Sequence, residues 1–134
     1  MIWTPETWDR DRWPHFGYGE MACRHCGANH MDPAYMDSLQ WLRGQLGPLR
    51  VGSGYRCPLH PVEAAKDAPG VHTLGKAADI AIAGAAAHAL LKVAFDDDFT
   101  GIGIKQHGNN RFIHLDTVMP TDGAFPRPMI WSYS

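Results

Sequence analysis

Residues 52–80 read GSGYRCPLHPVEAAKDAPGVHTLGKAADI, and the interpretation of the whole chain rests on this stretch. It contains Arg56, then His72 sixteen residues later, then Asp79 after seven more. Small and apolar residues flank Asp79. Because even a neutral polar group costs roughly 2–7 kcal/mol to bury without a partner, a carboxylate here needs one. A metal ion would supply that partner.

A second histidine completes a candidate ligand set. Residues 111–116 read RFIHLD and place His114 on a short apolar run with the period of a strand. His72, Asp79 and His114 are suitable ligands for a catalytic zinc, whose fourth position stays open to water. The spacing alone leaves open the alternative that the histidines are packed or surface residues.

Several motifs agree in order and spacing with a known family. They are residues 53–58 (SGYRCP), 72–79 (HTLGKAAD) and 112–116 (FIHLD). In these motifs the chain resembles the zinc D-Ala-D-Ala carboxypeptidase family, peptidase M15, and within it the small bacterial and phage branch. The resemblance extends over nearly the whole chain, from residue 15 to residue 131. It implies a hedgehog/D-Ala-D-Ala-peptidase-like fold.

The resemblance also implies roles for individual residues. The metal ligands of the family fall on His72, Asp79 and His114, and the arginine that receives the substrate carboxylate falls on Arg56. An arginine suits that role because its guanidinium binds a carboxylate through two parallel hydrogen bonds. The alternative for Arg56 is a surface ion pair.

The position of the general base departs from the family pattern. Well-described members of the family have an acid three residues before the last histidine, and this chain has Arg111 there. Asp116 is the nearest substitute, because positions 114 and 116 of a strand share a face. Asp116 is then either the catalytic base or a residue that orients His114 by a hydrogen bond. His107 is a third candidate for the base.

Three further positions depart from the branch pattern. Gly70 replaces the usual serine, Pro61 replaces an asparagine, and Ala65-Lys66 replaces a frequent glycine pair. These residues line the predicted cleft, so the departures bear on substrate choice.

Composition limits the other possibilities. The 134 residues predict one domain, 1–134, and 45% hydrophobic with 19% charged residues is typical of a globular chain. A net charge of −2 without basic runs argues against nucleic-acid binding, and no apolar run suits membrane insertion. The N-terminus does not resemble a signal peptide. We expect a monomer made in the cytoplasm that acts at the cell wall after release or as a virion component.

The three cysteines raise the question of a second metal. Cys23 and Cys26 are spaced like half of a zinc knuckle, and Cys57 with His60 repeats the gap. These four residues could form a structural site. The alternative is that the cysteines are small buried apolar residues in a reduced chain. Of the two, we expect a single metal, the one in the cleft.

The predicted fold class is α+β, a small antiparallel sheet with helices packed on one side. A helix begins at Asp32-Pro33 and ends at Gly47-Pro48. A second helix covers 85–95 with Ala87, Leu91 and Ala94 inward, residues 61–71 form an irregular loop, and the N-terminal aromatic residues cover the core. Strands are predicted at 49–51, 77–82, 101–105 and 111–115.

We therefore expect a zinc peptidase that hydrolyses stem or cross-bridge peptides of peptidoglycan, as a carboxypeptidase or an endopeptidase, of phage or prophage origin. One alternative is a catalytically silent module that keeps the metal and binds wall peptide. Another is a zinc-stabilised structural domain of a virion. A purely structural domain would have no use for Arg56 as a carboxylate clamp.

Overall fold

The computed structural model describes residues 1–134 and contains one five-stranded sheet. The strands are β1 (Arg50–Ser53), β2 (Ala77–Ala81), β3 (Gly101–Lys105), β4 (Phe112–Asp116) and β5 (Met129–Ser132). Their order in the sheet is β1-β2-β4-β3-β5. The first four pair antiparallel, and β5 pairs parallel with β3. The α+β class is confirmed; the sheet is mixed, because the C-terminal segment, which was not predicted as a strand, adds one in the same direction as β3.

Four helices accompany the sheet: α1 (Tyr18–Met21), α2 (Pro33–Leu46), α3 (Pro61–Ala64) and α4 (Gly84–Ala94). The longest, α2, has the ends that its sequence predicts. The Asp32 carboxylate accepts the Tyr35 N–H at 2.9 Å, and Gly47 ends the helix with a φ of 86°. Only glycine adopts that conformation without strain.

Two local predictions need correction. Residues 61–71 are not a wholly irregular loop, because they contain α3 and the start of a 3-10 turn, Val71–Leu74. In α4, Leu90 rather than Leu91 is fully buried beside Ala87 and Ala94. Both leucines lie on the apolar stripe, and the packing of α4 against α2 buries Leu90 fully and Leu91 in part.

The two faces of the sheet have different roles. Ile80, Ile113 and Leu115 are fully buried in one core cluster that also contains residues of α2 and α4. Because side chains alternate along a strand, Asp79 and His114 lie on the opposite face. The core therefore holds the strands that carry the candidate ligands.

The N-terminal arm packs on this core as expected: Trp8, Trp13 and Phe16 are buried in the same cluster. None of the helices combines the length and the apolar character that crossing a membrane requires.

Candidate metal centre

Strand pairing brings the three predicted ligands together. Asp79 of β2 lies directly opposite His114 of β4, and His72 is in the 3-10 turn that precedes β2. The Oδ1 atom of Asp79 is 3.1 Å from Nδ1 of His114 and 3.4 Å from Nε2 of His72. The candidate donor atoms of the three residues lie within 4.8 Å of one another. Two imidazoles and one carboxylate on strands and a turn form a suitable zinc site.

Hydrogen bonds on the far side of each ring decide which nitrogen faces the centre. Nδ1 of His72 lies 2.8 Å from the Gly54 carbonyl, which can only accept, so Nδ1 carries the proton. Nε2 of His114 lies 2.8 Å from Oδ2 of Asp116. This leaves Nε2 of His72 and Nδ1 of His114 as the atoms available to a metal, so the donor set fits one.

The Asp79 carboxylate and the His114 ring stabilise each other's charged forms. Burial raises the pKa of Asp79, but hydrogen bonds from His114 and His72 outweigh burial and hold this pKa well below its ordinary value. Burial lowers the pKa of His114, but its contacts with Asp116 and Asp79 outweigh burial and raise it. A metal ion would take the place of the proton between Asp79 and the facing imidazole nitrogens, because histidine binds a metal only in its neutral form.

Asp116 is held away from the cleft. Its side chain is fully buried, and Arg127 donates from Nε and Nη2 to its two oxygens at 3.0 and 2.9 Å. Burial raises the pKa of Asp116, but the bonds from His114 and Arg127 outweigh it and lower this pKa. Gly101, opposite Asp116 in β3, leaves the space: a Cβ there would overlap the carboxylate. These are the contacts of a residue that orients His114, one of the two roles that the sequence leaves open.

Arg56 is fixed beside the centre. Its Nε donates to Ser53 at 3.1 Å, Nη1 to Glu63 at 3.2 Å, and Nη2 to Asp79 at 3.3 Å. A guanidinium has five N–H groups, so two on the terminal nitrogens stay without a partner. Arg56 thus donates a hydrogen bond to the candidate ligand Asp79 and also presents its positive charge to the cleft.

Two adjoining cavities meet at Arg56 and Asp79. One, of about 410 Å³, is also lined by the two candidate histidines. The other, of about 520 Å³, is lined by Arg50 and by Arg111, the residue at the usual position of the family's acid. His107 lines neither cavity; its Nε2 donates to the Tyr133 carbonyl at 3.1 Å.

The peptidase M15 family model matches residues 14–116. The chain belongs to the peptidase M15 family. Members are zinc-dependent peptidases, and all three candidate ligands and Arg56 lie inside the matched range. No curated protein matches the chain.

The sequence did not predict the contacts of three residues around this M15 centre, Arg127, Trp131 and Tyr133, all beyond the matched range. Trp131 of β5 packs on the ligand His114, with ring centroids 5.1 Å apart. Tyr133 follows it on the cavity wall. Gly103 of β3 makes room, since a Cβ there would contact both aromatic rings. The third residue, Arg127, engages Asp116 and belongs to no motif of the sequence.

Lys66 and Gly70, two positions at which the resemblance predicts other residues, meet at one buried carboxylate. The buried Glu63 carboxylate accepts from Lys66 at 3.0 Å and from the Gly70 N–H at 2.8 Å. A Cβ at Gly70 would lie 2.6 Å from the Lys66 ammonium and 2.9 Å from Glu63. A side chain at position 70 would therefore displace the Lys66 ammonium or the Glu63 carboxylate from its present place.

Proposed function

We propose that this M15 chain is a zinc peptidase that hydrolyses stem or cross-bridge peptides of peptidoglycan. One observation carries the proposal: the donor set of His72, Asp79 and His114 shares a cavity with the cation of Arg56. These residues would hold a zinc ion, which would supply Lewis-acid chemistry for a peptide carbonyl and for a water nucleophile at neutral pH. The remaining chemistry belongs to the chain's own residues.

The charge around the cavities suits an acidic peptide. Arg56 keeps two N–H groups for a substrate carboxylate, and Arg50 and Arg111 extend the cationic surface into the adjoining cavity. A chain with a net charge of −2 thus concentrates positive charge beside its candidate centre. Stem peptides carry several carboxylates, which supports them as substrates over neutral peptides.

Tyr133 is the donor best suited to a developing oxyanion. Its pKa is raised, chiefly by burial and further by the negative charge of Asp79, so the hydroxyl stays protonated. It lies on the wall of the same cavity as the three ligands. A protonated hydroxyl on the wall of this cavity would stabilise negative charge on the oxygen of the scissile carbonyl. We assign this role to Tyr133.

The ligand cavity has no carboxylate besides Asp79 for proton transfer, and this favours one second candidate function. Asp79 is the only carboxylate that lines the ligand cavity, because Asp116 is engaged by His114 and Arg127. A protein that keeps zinc and binds wall peptide without cleaving it would retain this arrangement. The catalytically silent module is therefore the alternative.

The test is incubation of zinc-loaded protein with purified peptidoglycan, followed by chromatography and mass analysis of the released fragments. We expect new peptide termini that identify the bond cleaved, and none with His72→Ala. Binding to the wall polymer with full zinc and no fragments would support the silent module. Neither binding nor cleavage by the zinc-loaded protein would contradict both. We further propose that the protein reaches the wall after release from the cell or as part of a virion.

A further inference from the structure

The three cysteines form a second cluster of candidate ligands outside the cleft. Cys23, Cys26 and Cys57 place their sulfur atoms within 4.8 Å of one another, although Cys57 is 34 residues from Cys23. Three thiolates around one tetrahedral zinc lie about 3.8 Å apart, since Zn–S bonds are about 2.3 Å. The alternative from the sequence, three small buried apolar residues, does not describe this group, because only Cys23 is buried and Cys26 is exposed.

The backbone around Cys23 is shaped like a metal-binding turn. Gly27, at a φ of 77°, donates its N–H to the Cys23 carbonyl at 2.9 Å, and the Cys23 N–H donates to Ala28 at 2.7 Å. The chain therefore folds back directly after Cys26. The Cys57 N–H donates to the Cys23 sulfur at 3.3 Å. Burial raises the pKa of Cys23, but backbone N–H groups outweigh it and lower the pKa to about 7.

The second half of the cluster is a turn of similar size. The His60 N–H donates to the Cys57 carbonyl at 3.0 Å, and His60 caps α3 by accepting the Val62 N–H on Nδ1 at 3.1 Å. Because Nδ1 accepts, the neutral ring carries its proton on Nε2 and offers no lone pair to a metal. His60 therefore lies outside the ligand group that its spacing with Cys57 suggested.

We propose that Cys23, Cys26 and Cys57 bind a second, structural zinc ion through three thiolates. Three soft thiolate ligands favour zinc among the common divalent cations. The site is separate from the cleft, which contains no sulfur ligand. It does not depend on the peptidase reaction.

The position of this site gives it a role in holding the cleft. Cys57 directly follows Arg56, and the Tyr55 N–H donates to the Met21 carbonyl at 3.0 Å. Gly54, whose carbonyl holds His72, packs on the Met21 backbone so closely that a Cβ would lie 2.8 Å from its oxygen. A zinc ion between the turn at Cys23 and Cys57 would tie the N-terminal arm to the segment that presents Arg56.

The test uses cobalt as a probe, because sulfur ligation produces a charge-transfer absorption that a site of histidine and aspartate cannot give. Three reduced proteins are loaded with cobalt: the parent, His72→Ala and Cys26→Ser. Cys26 is exposed, so its substitution should leave folding intact. We expect the sulfur absorption in the parent and in His72→Ala, and its loss in Cys26→Ser. Zinc content should be two equivalents in the parent and one in each variant.

Melting temperature gives a readout independent of activity. In His72→Ala only the cysteine site remains, so a chelator should lower the melting temperature of this variant. The melting temperature of the double variant His72→Ala/Cys26→Ser should not change with chelator. One zinc equivalent and no sulfur absorption in a parent whose three thiols are shown to be free would overturn the proposal. Loss of two hydrogens from the intact mass would overturn it too, by showing a disulfide.

Discussion

Asp116 and His114 lie on the same face of β4, with Oδ2 of Asp116 2.8 Å from Nε2 of His114. Arg127 engages both oxygens of that carboxylate from its other side. The residue that the sequence offers as a catalytic base is thus placed behind a candidate ligand. Its contact with Nε2 of His114 decides which ring nitrogen carries the proton and how the ring is oriented.

Asp116→Asn tests this relationship. The amide keeps the shape, but it removes the charge that favours the Nε2 proton and presents donors to Arg127. We expect zinc affinity in the cleft to fall about 10–100-fold and activity to return at excess zinc. Competition with a chromophoric chelator measures the affinity. Normal zinc affinity with turnover reduced about 10²–10⁴-fold would instead assign proton transfer to Asp116.

Arg56→Lys tests the carboxylate clamp. Lysine keeps the charge but cannot contact Ser53, Glu63 and Asp79 while offering two parallel donors to substrate. We expect kcat/KM to fall by an amount equivalent to about 1.5–3 kcal/mol. Zinc content must be measured beside it, because Arg56 also contacts a candidate ligand. Arg10→Lys, at an exposed arginine of the N-terminal arm, is the matched control. Turnover equal to the parent's would exclude the clamp.

Tyr133→Phe tests the proposed oxyanion donor. The substitution removes one hydroxyl and leaves the ring that packs near Phe112 and Trp131. We expect kcat to fall about 10²–10³-fold at unchanged zinc content. Tyr18→Phe removes a hydroxyl remote from the cleft and should keep full activity. A change confined to KM would show that Tyr133 contacts the bound substrate but does not stabilise the oxyanion.

Gly101→Ala tests how tightly the support of His114 is packed. The new methyl group would overlap the buried Asp116 carboxylate, so we expect a loss of about 1–3 kcal/mol in the free energy of unfolding. Gly44→Ala is the matched control, because Gly44 lies on the exposed side of α2 with open space around it. It should stabilise the protein by about 1 kcal/mol. Denaturant titration measures both; equal effects of the two changes would contradict the packing argument.

Much of the scaffold was predictable because its signals are local. The ends of α2 depend on Asp32 and Gly47, which act on neighbours within one helical turn. The positions of β2 and β4 follow from short apolar runs. Alternation along those strands puts Ile113 into the core and His114 onto the other face, so the sequence alone determines which side chains are available to a metal.

Only the tertiary structure decided what those side chains contact. Arg127 reaches Asp116, and Trp131 reaches His114, because the C-terminal segment joins β3 as a parallel edge strand. Cys57 meets Cys23 for a similar reason, through contacts across 34 residues. Hydrophobic period and capping act over a few residues, whereas the docking of a distant segment depends on the summed burial and hydrogen bonding of the whole fold. The sequence therefore determined the candidate ligands, and the fold decided that Asp116 supports one of them.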